Sequence, residues 1–376
     1  MTRRALVGAD IFDGTALHTG KALLLDGDAF AGIVPADAIP GEYGVERVDG
    51  GTLLPGFVDL QVNGGGGVMF NQATDLDGLA TIAAAHATTG TRALLPTLIT
   101  DTPDRNRAAI DAVAEAVARG IPGIVGLHLE GPHLSLARKG AHDPALIRPM
   151  EDADEAALLD AARRLPTLMV TLAPESVAPD RIARLAAAGI VVSLGHTDCT
   201  MAEARAAFAA GARCVTHLFN AMSQMGSRAP GLVGAALDAG EVAAGLIADG
   251  IHVDATAMRI ALAAKRGPGT IFLVTDAMAT AGTEIDGFEL NGRLVSRADG
   301  RLTLADGTLA GADLDIPRAI SVLVDDVGCS RAQAYAMATS IPAALLRGVP
   351  GLGHFVPGAP ARAIHMDRDH RKARPA

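Results

Sequence analysis

This sequence is short of cations, aromatic rings, cysteines and long apolar runs, and these shortages narrow what the chain can do. Its 32 Lys and Arg stand against 42 Asp and Glu, a formal net charge of −10 over 376 residues. Nucleic-acid binding needs clustered Lys and Arg to neutralise phosphates, so the balance argues against it. A small phosphorylated molecule needs only one or two local cations and stays open. Tryptophan is absent and aromatics make up 3%, yet 49% of the residues are apolar, with charged residues at only 20%. That is ample core material for one large domain or two ordinary ones. Cys199, Cys214 and Cys329 are odd in number and sit at no metal-like spacing. Free thiols in a reducing compartment are expected, without a disulfide framework. No apolar stretch reaches the roughly 20 residues of a membrane span. The start, Met1-Thr2-Arg3-Arg4-Ala5, leads into a strand and not into the apolar block of a signal peptide. The expectation is a soluble cytoplasmic protein with no nucleic-acid or membrane partner.

What is present falls into two patterns. Residues 1 to about 53 are short β-type runs separated by turns such as Asp13-Gly14, Asp26-Gly27 and Asp49-Gly50-Gly51. The stretch 354–376, with Ala363-Ile364-His365-Met366, is again β-like. The two ends are expected to pair into one small β-sandwich domain, 1–53 plus 354–376. Between them, over 54–353, apolar runs alternate with Ala-rich amphipathic segments. The runs are Phe57–Val62, Arg92–Leu98, Ile124–Glu130, Leu168–Ala173, Ile190–His196, Cys214–Asn220, Val242–Asp249 and Ile271–Asp276. Helices are predicted over Asp104–Ala118, Arg181–Ala188, Met201–Ala210, Ala255–Lys265, Asp315–Val327 and Arg331–Leu346. Eight strands alternating with helices predict an α/β fold, a (β/α)8 TIM-like barrel. A dinucleotide fold would need Gly-x-Gly-x-x-Gly after its first strand, and Gly64–Gly67 lacks that spacing. The long excursion Ala281–Gly311 suggests a hairpin over the barrel mouth.

In such a barrel the carboxyl ends of the strands share one bowl. Strand one ends Asp59-Leu60-Gln61-Val62-Asn63, with three polar residues at period two on one face. Strand three ends at Glu130, strand five at His196 and strand six at His217. Asp249-Gly250-Ile251-His252 follows strand seven, and strand eight ends Thr275-Asp276. Taken singly, each has an ordinary reading: His196 or His217 as a hydrogen-bonded core histidine, Glu130 or Asp276 as a helix-capping acid. Their joint placement on successive strands points instead to a divalent-metal set of Glu130, His196 and His217. Asp276 is then a candidate proton shuttle. His128, two residues before Glu130, is expected one layer deeper as a partner to the ligands. His18, His86, His365 and His370 have no such context and are expected at the surface.

With these residues in place the chain resembles the amidohydrolase superfamily, and within it the N-acetylglucosamine-6-phosphate deacetylase family. The motifs are Pro55-Gly56-Phe57-Val58-Asp59-Leu60-Gln61-Val62-Asn63-Gly64, His128-Leu129-Glu130-Gly131-Pro132, Gly195-His196-Thr197, Thr216-His217-Leu218-Phe219-Asn220-Ala221-Met222, Ile247-Ala248-Asp249-Gly250-Ile251-His252 and Val274-Thr275-Asp276-Ala277. The resemblance implies a metal-dependent amide hydrolase that removes acetate from a 6-phosphorylated amino sugar, a step of amino-sugar catabolism or cell-wall recycling. Most of the superfamily carries His-x-His where this chain has Gln61-x-Asn63, so one divalent metal per subunit is expected: Zn, with Fe, Co or Mn as alternatives. The resemblance also makes His142 a residue that polarises the acetamide carbonyl, next to Ala141. It makes Asn220 and Ala221 phosphate contacts, His252 a substrate contact, and Leu309-Ala310-Gly311 a backbone contact. Asp249, Gln61 and Asn63 join these substrate-binding positions. Arg228 matches a phosphate-binding arginine that reaches the neighbouring active site of a homodimer, and Arg suits phosphate because its donors form a rigid fork.

The chain departs from the family pattern at three places. His133 replaces a bulky aromatic or aliphatic residue and adds a polar group beside the metal Glu, bearing on the acyl pocket. The loop Ser223–Ser227 differs before Arg228, and Arg362 stands in the small β domain. Two other readings remain open on sequence grounds: a deacetylase of N-acetylgalactosamine 6-phosphate or another N-acyl sugar, and a silent barrel that only binds sugar phosphates.

Overall fold

Eight parallel strands run in chain order around one sheet: Phe57–Val62, Thr91–Ile99, Leu127–Glu130, Leu168–Leu172, Val191–Leu194, Cys214–Val215, Ala243–Leu246 and Ile271–Leu273. The computed structural model describes residues 2–349 and 351–376. The first and last strands meet through a parallel bridge between Val62 and Ala277, and Asp276 N–H donates to the Gln61 carbonyl at 3.0 Å. The sheet therefore closes into a barrel at the point where Asp276 sits. Each predicted apolar run holds a strand, but several strands stop early. Cys214–Asn220 contains only two strand residues, because His217, Phe219 and Ala221 turn into left-handed backbone with φ of 31°, 79° and 47°.

Period-two alternation sorts the side chains. Asp59 and Gln61 on strand one, and His128 and Glu130 on strand three, hydrogen-bond inside the barrel. Val58, Leu60, Leu127 and Leu129 lie in the apolar layer beneath the helices. Those helices include Leu76–Ala87, capped by Asp75, and Pro103–Ala118, capped by Thr102 with Pro103 in its first turn. Two predicted helices are broken. Asp315–Val327 is α-helical over Ile316–Ser321 and then widens to a π-turn over Val322–Val327. Arg331–Leu346 divides at Thr339 into Arg331–Ala338 and Ser340–Ala343. Pro342 accounts for the second break, since its ring would strike the carbonyl four residues back, at Ala338.

The two chain ends do share a sheet. Ala363–Met366 pairs antiparallel with Thr52–Pro55, which in turn pairs with Asp10–Phe12. A second sheet is ordered Ala29–Pro35, Lys21–Asp26, Arg3–Val7, Gly44–Arg47. Leu6, Ile11, Leu23, Leu25, Phe30, Leu53 and Phe355 form the apolar cluster between them. The excursion after strand eight is larger than a hairpin: Gly287–Leu290, Arg293–Ala298, Arg301–Thr303 and Leu309–Ala312 make a four-stranded antiparallel sheet. Its apolar side, with Leu290, Val295, Leu302 and Ala310, packs on Met69, Ile99 and Met278 at the barrel mouth.

Three histidines overturn their surface assignment. His86, His365 and His370 are buried, with ring nitrogens 2.9 Å from the Gly64 carbonyl, 2.7 Å from the Gly50 carbonyl and 3.1 Å from the Tyr335 hydroxyl. A ring whose nitrogen finds a partner loses little on burial, and those partners lie 22, 315 and 35 residues away. His18 is half-buried against Asp13 at 2.7 Å. The three thiols are unpaired. Among the described residues no helix is long and apolar enough to cross a membrane.

Candidate metal and substrate site

Glu130, His196 and His217 converge at the barrel mouth. Glu130 Oε1 lies 3.1 Å from His196 Nε2 and 3.0 Å from His217 Nε2, and the two ring nitrogens are 3.0 Å apart. The Arg138 carbonyl, 2.8 Å from His196 Nδ1, places the ring proton there and leaves the Nε2 lone pair facing Glu130. A carboxylate oxygen and that lone pair have no hydrogen to share, so this point calls for a cation or an extra proton. His217 Nδ1 is buried with no partner among the described residues. The donor set fits a divalent ion bound by two imidazoles and one carboxylate. His196, His217 and Asp276 take left-handed φ of 48°, 31° and 52°. Such backbone costs on the order of 1–3 kcal/mol per residue and gathers where function requires it.

The flanking amides shape the electrostatics. Gln61 Nε2 donates to both Glu130 oxygens, at 3.3 and 3.2 Å, and to Asp276 Oδ1 at 3.2 Å. Asn63 Nδ2 donates to the same Asp276 oxygen at 2.7 Å. Burial pushes the Glu130 carboxyl up, but the His196 and His217 rings against it, where a cation or an extra proton is called for, outweigh burial and hold the group well below the usual carboxylate range. Burial, and then the charge of Glu130, raise Asp276 to about 6, a value suited to exchanging protons near neutrality.

His142 stands directly beside this cluster, its ring edge-to-face with that of His196 and the two centroids 4.3 Å apart. Its Nδ1 lies 2.7 Å from Thr100 Oγ1 and accepts the Thr100 backbone N–H at 3.3 Å. The proton therefore sits on Nε2, and burial keeps the ring neutral by lowering its pKa to about 3. One ligand atom each from Glu130, His142 and His196 lie within 4.8 Å of one another, so His142 competes with His217 on distance alone. The tautomer favours His217: an Nε2–H donates a hydrogen bond and offers no lone pair to a metal. Gly131, at φ 89°, has to be glycine, because a Cβ there would lie 2.2 Å from Thr100 Oγ1.

A cavity of about 370 Å³ opens over these groups. Besides the metal set, Asn63, His142 and Asp276 line it, and so do Ala141, Asn220, Ala221, His252, Leu309 and Gly311. The other expected members do not. Gln61 lies behind the two carboxylates it bridges. Asp249 accepts the Ile251 and His252 backbone N–H groups and lies 2.6 Å from His252 Nδ1, so it acts through that ring. Ala310 packs into the apolar layer under the excursion. Arg228 is exposed on an outer loop and reaches no wall of its own chain's cavity. His133 borders a separate cavity with Arg148 and Asp154, 3.1 Å from the Arg148 carbonyl, so its polar ring stands outside the substrate cavity. His128 bonds the Leu60 carbonyl at 3.0 Å and Thr171 Oγ1 at 2.7 Å and no ligand. Two residues along a strand are roughly 6.6 Å, which sets it a full layer too deep.

Four positioning groups escaped the sequence reading. Thr100 orients His142, as above. Asp59 accepts from Thr275 Oγ1 at 2.5 Å and so ties strand one to strand eight beside Asp276. Glu175 accepts the Asp198 N–H at 2.7 Å and a bond from Thr197, fixing the turn after His196. Arg293, from the excursion, donates to the Ala141 carbonyl. Only Asp59 carried a signal, its period-two spacing from Gln61.

Residues 52–375 match the family described as Amidohydrolase family. Over 330 residues the chain is 42% identical to the N-acetylgalactosamine-6-phosphate deacetylase of Shewanella sp. (strain ANA-3), spanning 86% of this chain and 82% of that one. It is 34% identical over 354 residues to the N-acetylglucosamine-6-phosphate deacetylase of Haemophilus influenzae, spanning 90% and 88%. The crystal structure of N-acetylglucosamine-6-phosphate deacetylase from Pasteurella multocida superposes with a TM-score of 0.93 at 34% identity, covering 99% of this chain and 97% of that one. The chain belongs to the amidohydrolase family, in the group that holds the N-acetylglucosamine- and N-acetylgalactosamine-6-phosphate deacetylases.

Proposed function

We propose that this enzyme hydrolyses N-acetyl-D-glucosamine 6-phosphate to D-glucosamine 6-phosphate and acetate, in the cytoplasm, with one zinc ion per subunit held by Glu130, His196 and His217. The observation that carries this reading is the meeting of those three donor atoms near Asp276, with the neutral His142 ring edge-to-face against His196. A single ion is favoured because the Gln61 amide bridges Glu130 and Asp276, where a second cation would otherwise sit. The metal, when bound, supplies Lewis acidity toward the amide carbonyl and toward water.

The chain's own residues supply the rest. Asp276 takes the proton of the attacking water and returns it to the leaving nitrogen, since an amide does not readily expel an unprotonated amine. His142 donates from Nε2 to the carbonyl oxygen as negative charge builds there. The Asn220–Ala221 backbone and His252 hold the sugar phosphate. Arg228, turned away from its own cavity, completes the phosphate contact in the second subunit of a homodimer. Arg228→Ala is therefore expected to raise KM about tenfold or more, the loss of one charge-assisted bond, with kcat little changed. Steady-state kinetics check it: a fall in kcat at constant KM would remove Arg228 from phosphate binding.

The galacto epimer is the second reading, favoured by the 42% identity to the Shewanella protein. Acetate release measured on both N-acetylhexosamine 6-phosphates, together with metal quantification, tests the proposal. Binding of both sugars without acetate release, metal present, would refute it.

A further inference from the structure

Away from the barrel mouth, strands from both chain ends and the helix Arg331–Ala338 line a further cleft, open to solvent, of about 560 Å³. Its charge runs against that of the chain. Lys21, Arg47, Arg331 and Arg368 line it, in a protein of net charge −10. Both carboxylates in the wall are engaged: Asp10 with Arg331 at 3.0 Å, and Asp367 Oδ1 with the Arg371 and Lys372 backbone N–H groups at 2.8 and 3.1 Å. Lys21, Arg47 and Arg368 have no carboxylate partner among the described residues. Cations of one sign around a cleft repel one another and focus a positive potential into it.

A buried histidine completes the wall. His370 is 5% exposed and holds a left-handed φ of 57°, a conformation that side chains with a Cβ rarely adopt. Its Nδ1 lies 3.1 Å from the Tyr335 hydroxyl, which donates to Thr52 Oγ1, also at 3.1 Å. With the phenolic proton spent on Thr52, His370 Nδ1–H donates to the Tyr335 oxygen. Its Nε2 has no protein partner among the described residues.

We propose that this cavity is a second, non-catalytic site that takes a phosphate monoester, its dianion neutralised by Lys21, Arg47 and Arg368 and one oxygen met by His370 Nε2. A carboxylate ligand would be saturated by a single Arg fork, whereas three unpaired cations match a doubly charged tetrahedral group. Occupancy would tie strands from both chain ends to a barrel helix. The proposal does not depend on the catalytic reading, because no wall residue belongs to the metal or substrate site.

Calorimetric titration of the metal-loaded full chain with inorganic phosphate, and separately with glucose 6-phosphate, which has no amide to hydrolyse, provides the test. Lys21→Met with Arg47→Met is expected to weaken binding of both at least tenfold, with kcat and KM for acetate release within twofold of the parent. Arg228→Ala is expected to leave this binding intact, and His370→Gln to weaken it about fivefold. Unchanged affinity in the double variant overturns the site, and so does binding that only Arg228→Ala removes. Binding of inorganic phosphate without glucose 6-phosphate overturns the monoester assignment. Should the double variant fail to fold, Arg47→Met alone, an exposed position, carries the same test.

Discussion

Asp276→Asn is expected to lower kcat at the upper end of the about 10²–10⁴-fold range of general acid–base catalysis, because one carboxylate serves both proton transfers. Asparagine keeps the shape and keeps an oxygen to accept from Asn63 and Gln61, now 2.7 and 3.2 Å from Asp276 Oδ1. It loses the ability to take a proton. Metal content and substrate affinity should therefore survive while turnover collapses, and turnover within tenfold of the parent would remove Asp276 from the mechanism. The parent enzyme should show the matching pH dependence. Burial and the charge of Glu130 raise Asp276 to about 6. A base works ionised, so kcat/KM should be full above that value and fall as pH drops through it. A rate–pH profile flat from 5 to 8, expected if no such base acts, would contradict the assignment.

Glu130→Gln is expected to empty the metal centre, and acetate release should fall by more than about 100-fold, beyond the loss seen when only an outer partner of a ligand is removed. The substitution keeps the volume but takes away the only negative charge among the three donors. It also brings an NH₂ group against His196 Nε2 or His217 Nε2, which now lie 3.1 and 3.0 Å from Glu130 Oε1. Elemental analysis should find close to one divalent ion per parent chain and close to none in the variant. Chelation of the parent should abolish acetate release, and readdition of zinc should restore it. Two equivalents per chain, both needed for turnover, would show that Gln61 does not close the second position.

Much of this site was legible along the chain. Period-two alternation forces every second side chain of a barrel strand inward, so polar residues spaced two apart at the end of an apolar run have to meet in the bowl. Glu130 followed from that rule, His196, His217 and Asp276 from their place at the ends of apolar runs, and Asn220, Ala221 and His252 from motif resemblance. The rule breaks down where strands stop. His196, His217 and Asp276 lie past the last ladder residues, in left-handed backbone that propensity does not report. It also gives depth poorly: His128 shares the face of Glu130 yet bonds Leu60 and Thr171 one layer down. Histidines without pattern were misread for a related reason. His86, His365 and His370 looked solvated because nothing near them in sequence offers a partner, and the partners arrive from other segments.

The sequence by itself determined the barrel, the mouth and the residue types gathered there, since hydrophobic periodicity and strand-end position are local properties of the chain. The tertiary structure alone decided what state those residues are in. Thr100, just past the end of strand two, sets the His142 tautomer, which favours His217 over His142 as the third donor. Asn63, Gln61 and Glu130 surround Asp276 and, with burial, set its proton affinity. Hydrogen-bond direction and desolvation depend on atoms brought together from distant segments, and no window along the chain contains them.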